Sequence, residues 1–248
     1  MGEEEMENCS ISAWKSLGGI ENKRPTGTHS QSAHILEEEQ PSKPYVVALF
    51  KNDRLSCAGT LIKETWVLTA AHCFPNPLGT KTFYECTKIF FYPGFNPKTF
   101  ENDIMLLKLH VMETKLKIKT IPLPDPTSDI KAGTPCIVAG WGTISNRRRF
   151  KKLHEVNVTI FDRNICNDKK HYQSHPLVTM KMLCAGQKKS GKDSCVGDSG
   201  GPLICSGKQR GILSFVKKCS NPQYPGIYTQ LTQTYTSWIK TITDEHSH

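Results

Sequence analysis

From Pro44 onward the chain breaks into short apolar segments: YVVALF, CAGTLI, WVLTAA, KIFFY, DIMLLKL, CIVAGW, EVNVTIF, PLIC, GILSF and GIYTQL, with Gly, Pro, Asn or Asp between most of them. Apolar runs this short, punctuated by turn formers, read as strands rather than helices. Many of them in succession predict an antiparallel β-barrel or sandwich. One stretch departs from this: Tyr235, Trp238, Ile239 and Ile242 fall at i, i+3, i+4 and i+7, which predicts a helix laying one apolar face on the body. Residues 1–40 are polar, with EEE at 3–5 and at 37–39, and show neither period, so they read as a poorly ordered extension ahead of a domain spanning 41–248. A chain of 248 residues accommodates one large all-β domain or two small ones.

Ten cysteines without a single CxxC pair favour an oxidising compartment over zinc binding or dithiol exchange. The opening MGEEEMENCS has no basic residue followed by an apolar run, so a secretory signal is expected in a longer precursor or at an alternative start. No run approaches the apolar length that spans a bilayer, which excludes a transmembrane helix. The net charge of +9 draws polyanions such as proteoglycan, with an affinity that salt weakens. Five of those positive charges fall in NRRRFKK, residues 146–152, read as a solvated loop or an exosite for acidic surfaces; no nucleic-acid-binding motif accompanies them.

The segment GDSGGPL, residues 197–203, sets Ser199 among glycines, which let backbone N–H groups approach a substrate carbonyl. A serine hydroxyl is a weak nucleophile and needs a base, itself held by a carboxylate. TAAHC, residues 69–73, and ENDIMLLKL, residues 101–109, offer His72 and Asp103. Singly, the first reads as a turn and the second as a core histidine. Together, in the order His, Asp, Ser, they read as a nucleophile, a general base and the group that orients it.

These three contexts, with AGWG at 139–142, CAG at 184–186, DSCVGDSGGPL at 193–203 and PGIYTQL at 225–231, resemble the chymotrypsin family of trypsin-like serine proteases from about Ser42 to Ile242. SKPYVVAL, HEVNVTIFDRNICNDKKHY and MLCAG are most similar to its granzyme branch of lymphocyte granule tryptases. The resemblance implies an all-β fold of two six-stranded antiparallel β-barrels with a C-terminal helix, and catalysis by His72, Asp103 and Ser199 with no metal or organic cofactor. It places the oxyanion hole at the backbone N–H groups of Gly197 and Ser199. It also assigns substrate binding to Asp193, Ser214, Phe215, Val216 and Gly226. Asp193 lies at the pocket floor, where an unpaired carboxylate is costly and so selects Arg or Lys. Val216 replaces the usual glycine and narrows the entrance, with Lys217 and Lys218 following it.

The family's bridge pattern pairs Cys57 with Cys73, Cys136 with Cys205, Cys166 with Cys184 and Cys195 with Cys219, leaving Cys9 and Cys86. Resemblance to one granzyme in particular implies a disulfide-linked dimer through a cysteine in the segment matching FYPGFNP, but Gly94 stands there, which leaves a dimer open. Asn157-Val158-Thr159 fits a glycosylation acceptor. Resemblance further implies protein substrates, protein inhibitors, and a secreted or cytotoxic-granule location.

Two departures set limits. The family's activated amino terminus is apolar-apolar-Gly-Gly, and its ammonium pairs with the residue matching Asp198; alignment back from SKPY places Ser32, Ala33, His34 and Ile35 there, with Leu17-Gly18-Gly19-Ile20 only a loose echo. From His72 to Asp103 is 103 − 72 = 31 positions, shorter than the family span by roughly a dozen residues, so strands of the first barrel are expected to be lost or rerouted. The rival expectation is thus a catalytically silent, zymogen-like protein that binds polyanions or a protein partner.

Overall fold

The structure, a computed structural model, describes residues 9–12, 43–51, 54–74, 84–111, 119–125, 129–141, 153–187, 199–217 and 223–246. Twelve strands among them pair antiparallel in two rings. The first holds β1 (Cys9–Ser12), β2 (Val46–Lys51), β3 (Arg54–Lys63), β4 (Trp66–Thr69), β5 (Tyr84–Phe91) and β6 (Met105–Val111), in the order β1-β2-β3-β4-β6-β5. The second holds β7 (Pro135–Gly140), β8 (His154–Phe161), β9 (Met182–Gly186), β10 (Pro202–Cys205), β11 (Lys208–Phe215) and β12 (Gly226–Gln230), in the order β10-β11-β12-β9-β8-β7, with β10 also pairing β7. The two-barrel fold implied by the motifs is the one observed.

The first ring closes in an unexpected way. β1, from the polar extension, lies between β2 and β5, with Ile11 opposite Leu49 on one side and Tyr84 on the other. A short His72-to-Asp103 span has therefore rerouted the ring: the sixth strand comes from the amino-terminal segment. Residues 9–12 depart from the expected lack of order, and the rest of 1–40 falls outside the described residues.

Leu68, Ile104, Leu106 and Leu107 are fully or almost fully buried at the centre of the first barrel's cluster, and Tyr235 and Ile239 of α2 (Gln233–Glu245) join it. Trp238 and Ile242 pack against the same cluster, as the helical period predicts. Tyr92 meets the rings of both Tyr235 and Trp238 edge-on, at 4.8 and 5.3 Å. The second barrel fills with Val138, Val158, Leu183, Leu203, Leu213 and Tyr228. Between the barrels, small residues let the sheets approach: Val46, Ala48 and Ala58 cluster with Ala139 and Trp141. Disulfides join Cys57 to Cys73, Cys136 to Cys205 and Cys166 to Cys184. The expected Cys195–Cys219 bridge lies outside the described residues.

A helix that the sequence did not signal, α1 (Arg163–Asn167), begins where the Asp162 carboxylate accepts from Asn164 N–H at 2.8 Å. Its Arg163 is the main polar knot of the second barrel. Nε donates to the carbonyls of Thr179 and Met182 at 3.1 and 2.7 Å; the two terminal nitrogens grip both oxygens of Asp129 at 2.6 and 2.8 Å, and one also reaches Gln230 Oε1 at 2.7 Å. Arg163 holds the Asp129 carboxyl below the usual carboxylate range. A lowered native pKa stabilises above the unfolded value near 4 and loses that contribution as pH falls through the native value. Arg163→Ala strands several acceptors at once and is expected to cost about 2 to 3 kcal/mol. Urea titrations at pH 7 and pH 3 check this, with the gap between variant and parent shrinking at the lower pH.

Candidate active site

His72 sits in a single 3-10 turn, Ala71–Cys73, that follows β4 directly, and the Cys57–Cys73 bridge ties this turn to β3. Asp103 ends the loop between β5 and β6 and is fully buried. Both its oxygens accept from His72: Oδ1 from the backbone N–H at 2.9 Å, Oδ2 from Nδ1 at 2.7 Å. An ionised carboxylate only accepts, so Nδ1 carries a proton and Nε2 is left with its lone pair as a base. The imidazole keeps 22% of its surface exposed, open to a substrate on that side.

The loop that presents Asp103 is strained. Phe100 and Asn102 both take left-handed backbone, with φ of 58° and 56°. Asn102 is held there from two sides: its amide donates to the Gly94 carbonyl at 2.9 Å, and the Tyr235 hydroxyl of α2 donates to its Oδ1 at 2.8 Å. Gly94, at φ 79°, is itself in a conformation that disfavours a side chain, which fits glycine rather than cysteine there.

A second anchor reaches Asp103 from β12. The Thr229 hydroxyl donates to the Asp103 carbonyl at 3.0 Å, and Ser214 lies 2.9 Å from Thr229 Oγ1. Thr229 has one proton and spends it on the carbonyl, so Ser214 is the donor in its pair. Ser214, expected to align substrate backbone, thus also ties β11 to the Asp103 loop, through a threonine the sequence did not flag. A hydroxyl inside the wholly buried GIYTQ strand was the available signal.

Ser199 stands just ahead of β10 and docks across the seam. Its carbonyl accepts from Ala58 N–H on β3 at 2.8 Å, and Gly200 N–H donates to Leu213 at 2.8 Å. A Cβ on Gly200 would lie 2.2 Å from Thr69 Oγ1, 2.4 Å from the Ala58 carbonyl oxygen and 3.1 Å from Cys73 Sγ. The Ser199–Gly200 step is therefore pressed against the turn that carries His72. Gly197, Asp198 and Asp193 lie outside the described residues, as does the basic stretch 146–152.

Of the expected pocket wall, Gly226 is buried, and a Cβ there would meet the Tyr228 ring at 3.0 to 3.2 Å. Val216 is 37% exposed. The Lys217 ammonium lies 5.0 Å from the centre of the Tyr224 ring, a cation–π position. Lys218 is outside the described residues. Tyr172, another residue without a sequence signal, packs edge-on against Phe215 and donates from its hydroxyl to the Pro225 carbonyl at 2.7 Å. Burial pushes its phenol up to about 12, so it remains a donor across the physiological range. Phe100 joins the two halves, with its ring edge-on to His72 at 5.7 Å and tilted against Phe215 at 4.8 Å.

Cys57, His72 and Cys73 bring ligand-type atoms within 4.8 Å of one another. The two sulfurs are bonded to each other and offer no thiolate, so the cluster does not suit a metal. Among the described residues no helix is long and apolar enough to cross a membrane.

The chain resembles known proteins over most of its length. Residues 35–239 match the family model described as Trypsin. The chain is 44% identical over 220 residues to granzyme A of Bos taurus, covering 82% of this chain and 84% of that one. It is 36% identical over 216 residues to a trypsin of Xenopus laevis, covering 80% and 85%. Among solved structures it resembles neuropsin, a serine protease expressed in the limbic system of mouse brain, with a TM-score of 0.69 and 34% identity over 82% of this chain and 95% of that one.

Proposed function

The chain belongs to the trypsin family of serine proteases, and from that footing we propose that it is a granzyme A-like endopeptidase cutting proteins after Arg or Lys. The observation that carries this reading is the buried Asp103 accepting from both the backbone and the ring of His72, beside the docked Ser199 step. In the proposed reaction Ser199 Oγ attacks the scissile carbonyl while His72 Nε2 takes its proton. The tetrahedral oxyanion forms against the N–H groups of Gly197 and Ser199. His72 then returns the proton to the leaving amine, and water repeats the sequence on the acyl-enzyme.

Asp193 is assigned the pocket floor, where it selects a cationic side chain. The family's inhibitors, a secreted or granule location, polyanion binding by the +9 surface and glycosylation at the exposed Asn157 belong to the same reading. Asp198 is assigned as the partner of an activating ammonium.

The test compares fluorophosphonate labelling of the oxidised chain with that of Ser199→Ala and of a form given an apolar-apolar-Gly-Gly terminus. Labelling of the parent lost in Ser199→Ala is the expected result. Labelling of the engineered terminus alone makes the chain a locked zymogen; labelling of none transfers the reading to a silent binding protein. On labelled material, Asp193→Ser is expected to lower cleavage after Arg by at least about a hundredfold relative to cleavage after an apolar residue.

A further inference from the structure

The first barrel depends on a four-residue strand drawn from far away in sequence, and such a strand has few backbone hydrogen bonds to hold it. What β1 does have is a cysteine opposite a cysteine: Cys9 is the Cα partner of Cys86 on β5. We propose that these two residues form a disulfide that staples β1 into the barrel.

The geometry suits the bond. Directly opposed residues of an antiparallel pair have Cα atoms about 4.5 to 5.5 Å apart and side chains on one face. Disulfides span about 4.4 to 6.8 Å between Cα atoms, and the three bridges among the described residues span 4.3, 6.0 and 6.7 Å. Cys86 is only 2% exposed within the barrel's apolar cluster, where a neutral, solvent-shielded sulfur is stable. Its Sγ also lies 3.7 Å from the Lys88 carbonyl, a weak sulfur contact. The bond would close a loop of 86 − 9 = 77 residues, and long loops gain most from cross-linking because the unfolded chain loses most freedom.

The chemistry balances by thiol–disulfide exchange with a small-molecule disulfide such as oxidised glutathione. One thiolate attacks that disulfide and releases one glutathione thiol. The second thiolate displaces the other glutathione, so two protein thiols lose two protons and two electrons and the oxidant is reduced to two thiols. Because Cys86 is buried in the closed ring, exchange proceeds while β1 is docking. This inference is independent of the catalytic reading, since it concerns only how the barrel is closed.

The full chain, refolded in a reduced and oxidised glutathione mixture, is denatured, capped with iodoacetamide and digested without reduction. The expected product is a peptide carrying Cys9 linked to one carrying Cys86, recovered from monomer, with neither residue capped. Cys9→Ser is expected to take capping of Cys86 from none to complete while the Cys57–Cys73, Cys136–Cys205 and Cys166–Cys184 peptides stay linked. Capping of both residues in the parent overturns the proposal. So does linkage of either to a different cysteine, or recovery of the Cys9–Cys86 pair only from covalent dimers, which would mean exchange of β1 between copies. The parent digest decides even if the variant fails to fold.

Discussion

Asp103→Asn is expected to leave both barrels folded and to lower kcat/KM on an arginyl substrate by about ten-thousandfold, the size known for triads of this family in general. The reason lies in the two donors that Asp103 serves. The backbone N–H of His72 points at Oδ1 and ring Nδ1 at Oδ2, at 2.9 and 2.7 Å, and the Asp103 side chain itself is closed to water. An asparagine has one carbonyl oxygen for those two donors. If the oxygen keeps the backbone N–H, which cannot move its proton, the amide NH2 faces Nδ1. The ring then answers by accepting there and placing its proton on Nε2, the atom that should be the base. A neutral replacement of the same shape thus turns the base into a donor towards Ser199. Thermal melting close to that of the parent, together with the loss in kcat/KM, is the expected pair of results. Activity within tenfold of the parent would show that the Nδ1–Asp103 contact does not set the imidazole's tautomer.

Much of this site was legible in the chain because its parts are local. Turn residues around short apolar runs marked ten of the twelve strands, and the triad motifs each sit at the end of one. β9 escaped because no turn former separates MLCAG from the LVTMK ahead of it, so the run has no visible start. β1 escaped for a different reason: CSIS is short and polar, and its strand character arises from Leu49, Tyr84 and Cys86, which lie far along the chain. The residues that stiffen the site were hidden in the same way. Thr229, Asn102 and Phe100 act through partners on other elements, and left-handed backbone at a phenylalanine has no sequence signature. The span of 31 positions between His72 and Asp103 did announce that a strand was missing. It could not announce that the amino-terminal segment would replace it, since that depends on an open edge between β2 and β5.

Among the glycines of the described residues, Gly200→Ala is expected to be the most damaging added methyl group. At φ 82° the alanine is strained before any contact is considered, by about 1 kcal/mol. Its Cβ then lies 2.4 Å from the Ala58 carbonyl oxygen and 2.2 Å from Thr69 Oγ1. Those two atoms are already bonded to each other at 2.8 Å inside the barrel, so neither can retreat without breaking a buried hydrogen bond. Cys73 Sγ, 3.1 Å away on the third side, is fixed by its bridge to Cys57. The loop itself must move instead, giving up the Ala58–Ser199 and Gly200–Leu213 hydrogen bonds at 2.8 Å. Strain, overlap and two lost bonds together come to about 3 to 5 kcal/mol, which for a chain of this size lowers Tm by on the order of 10 °C. Ser199 moves with the loop, so fluorophosphonate labelling is expected to fall at least about a hundredfold even at temperatures where the variant remains folded. Adding Thr69→Ala removes one of the obstructing atoms and leaves the backbone oxygen, so the double variant should recover little of either loss. Full recovery in the double variant would place the obstruction at the threonine hydroxyl and not at the β3 backbone that positions Ser199.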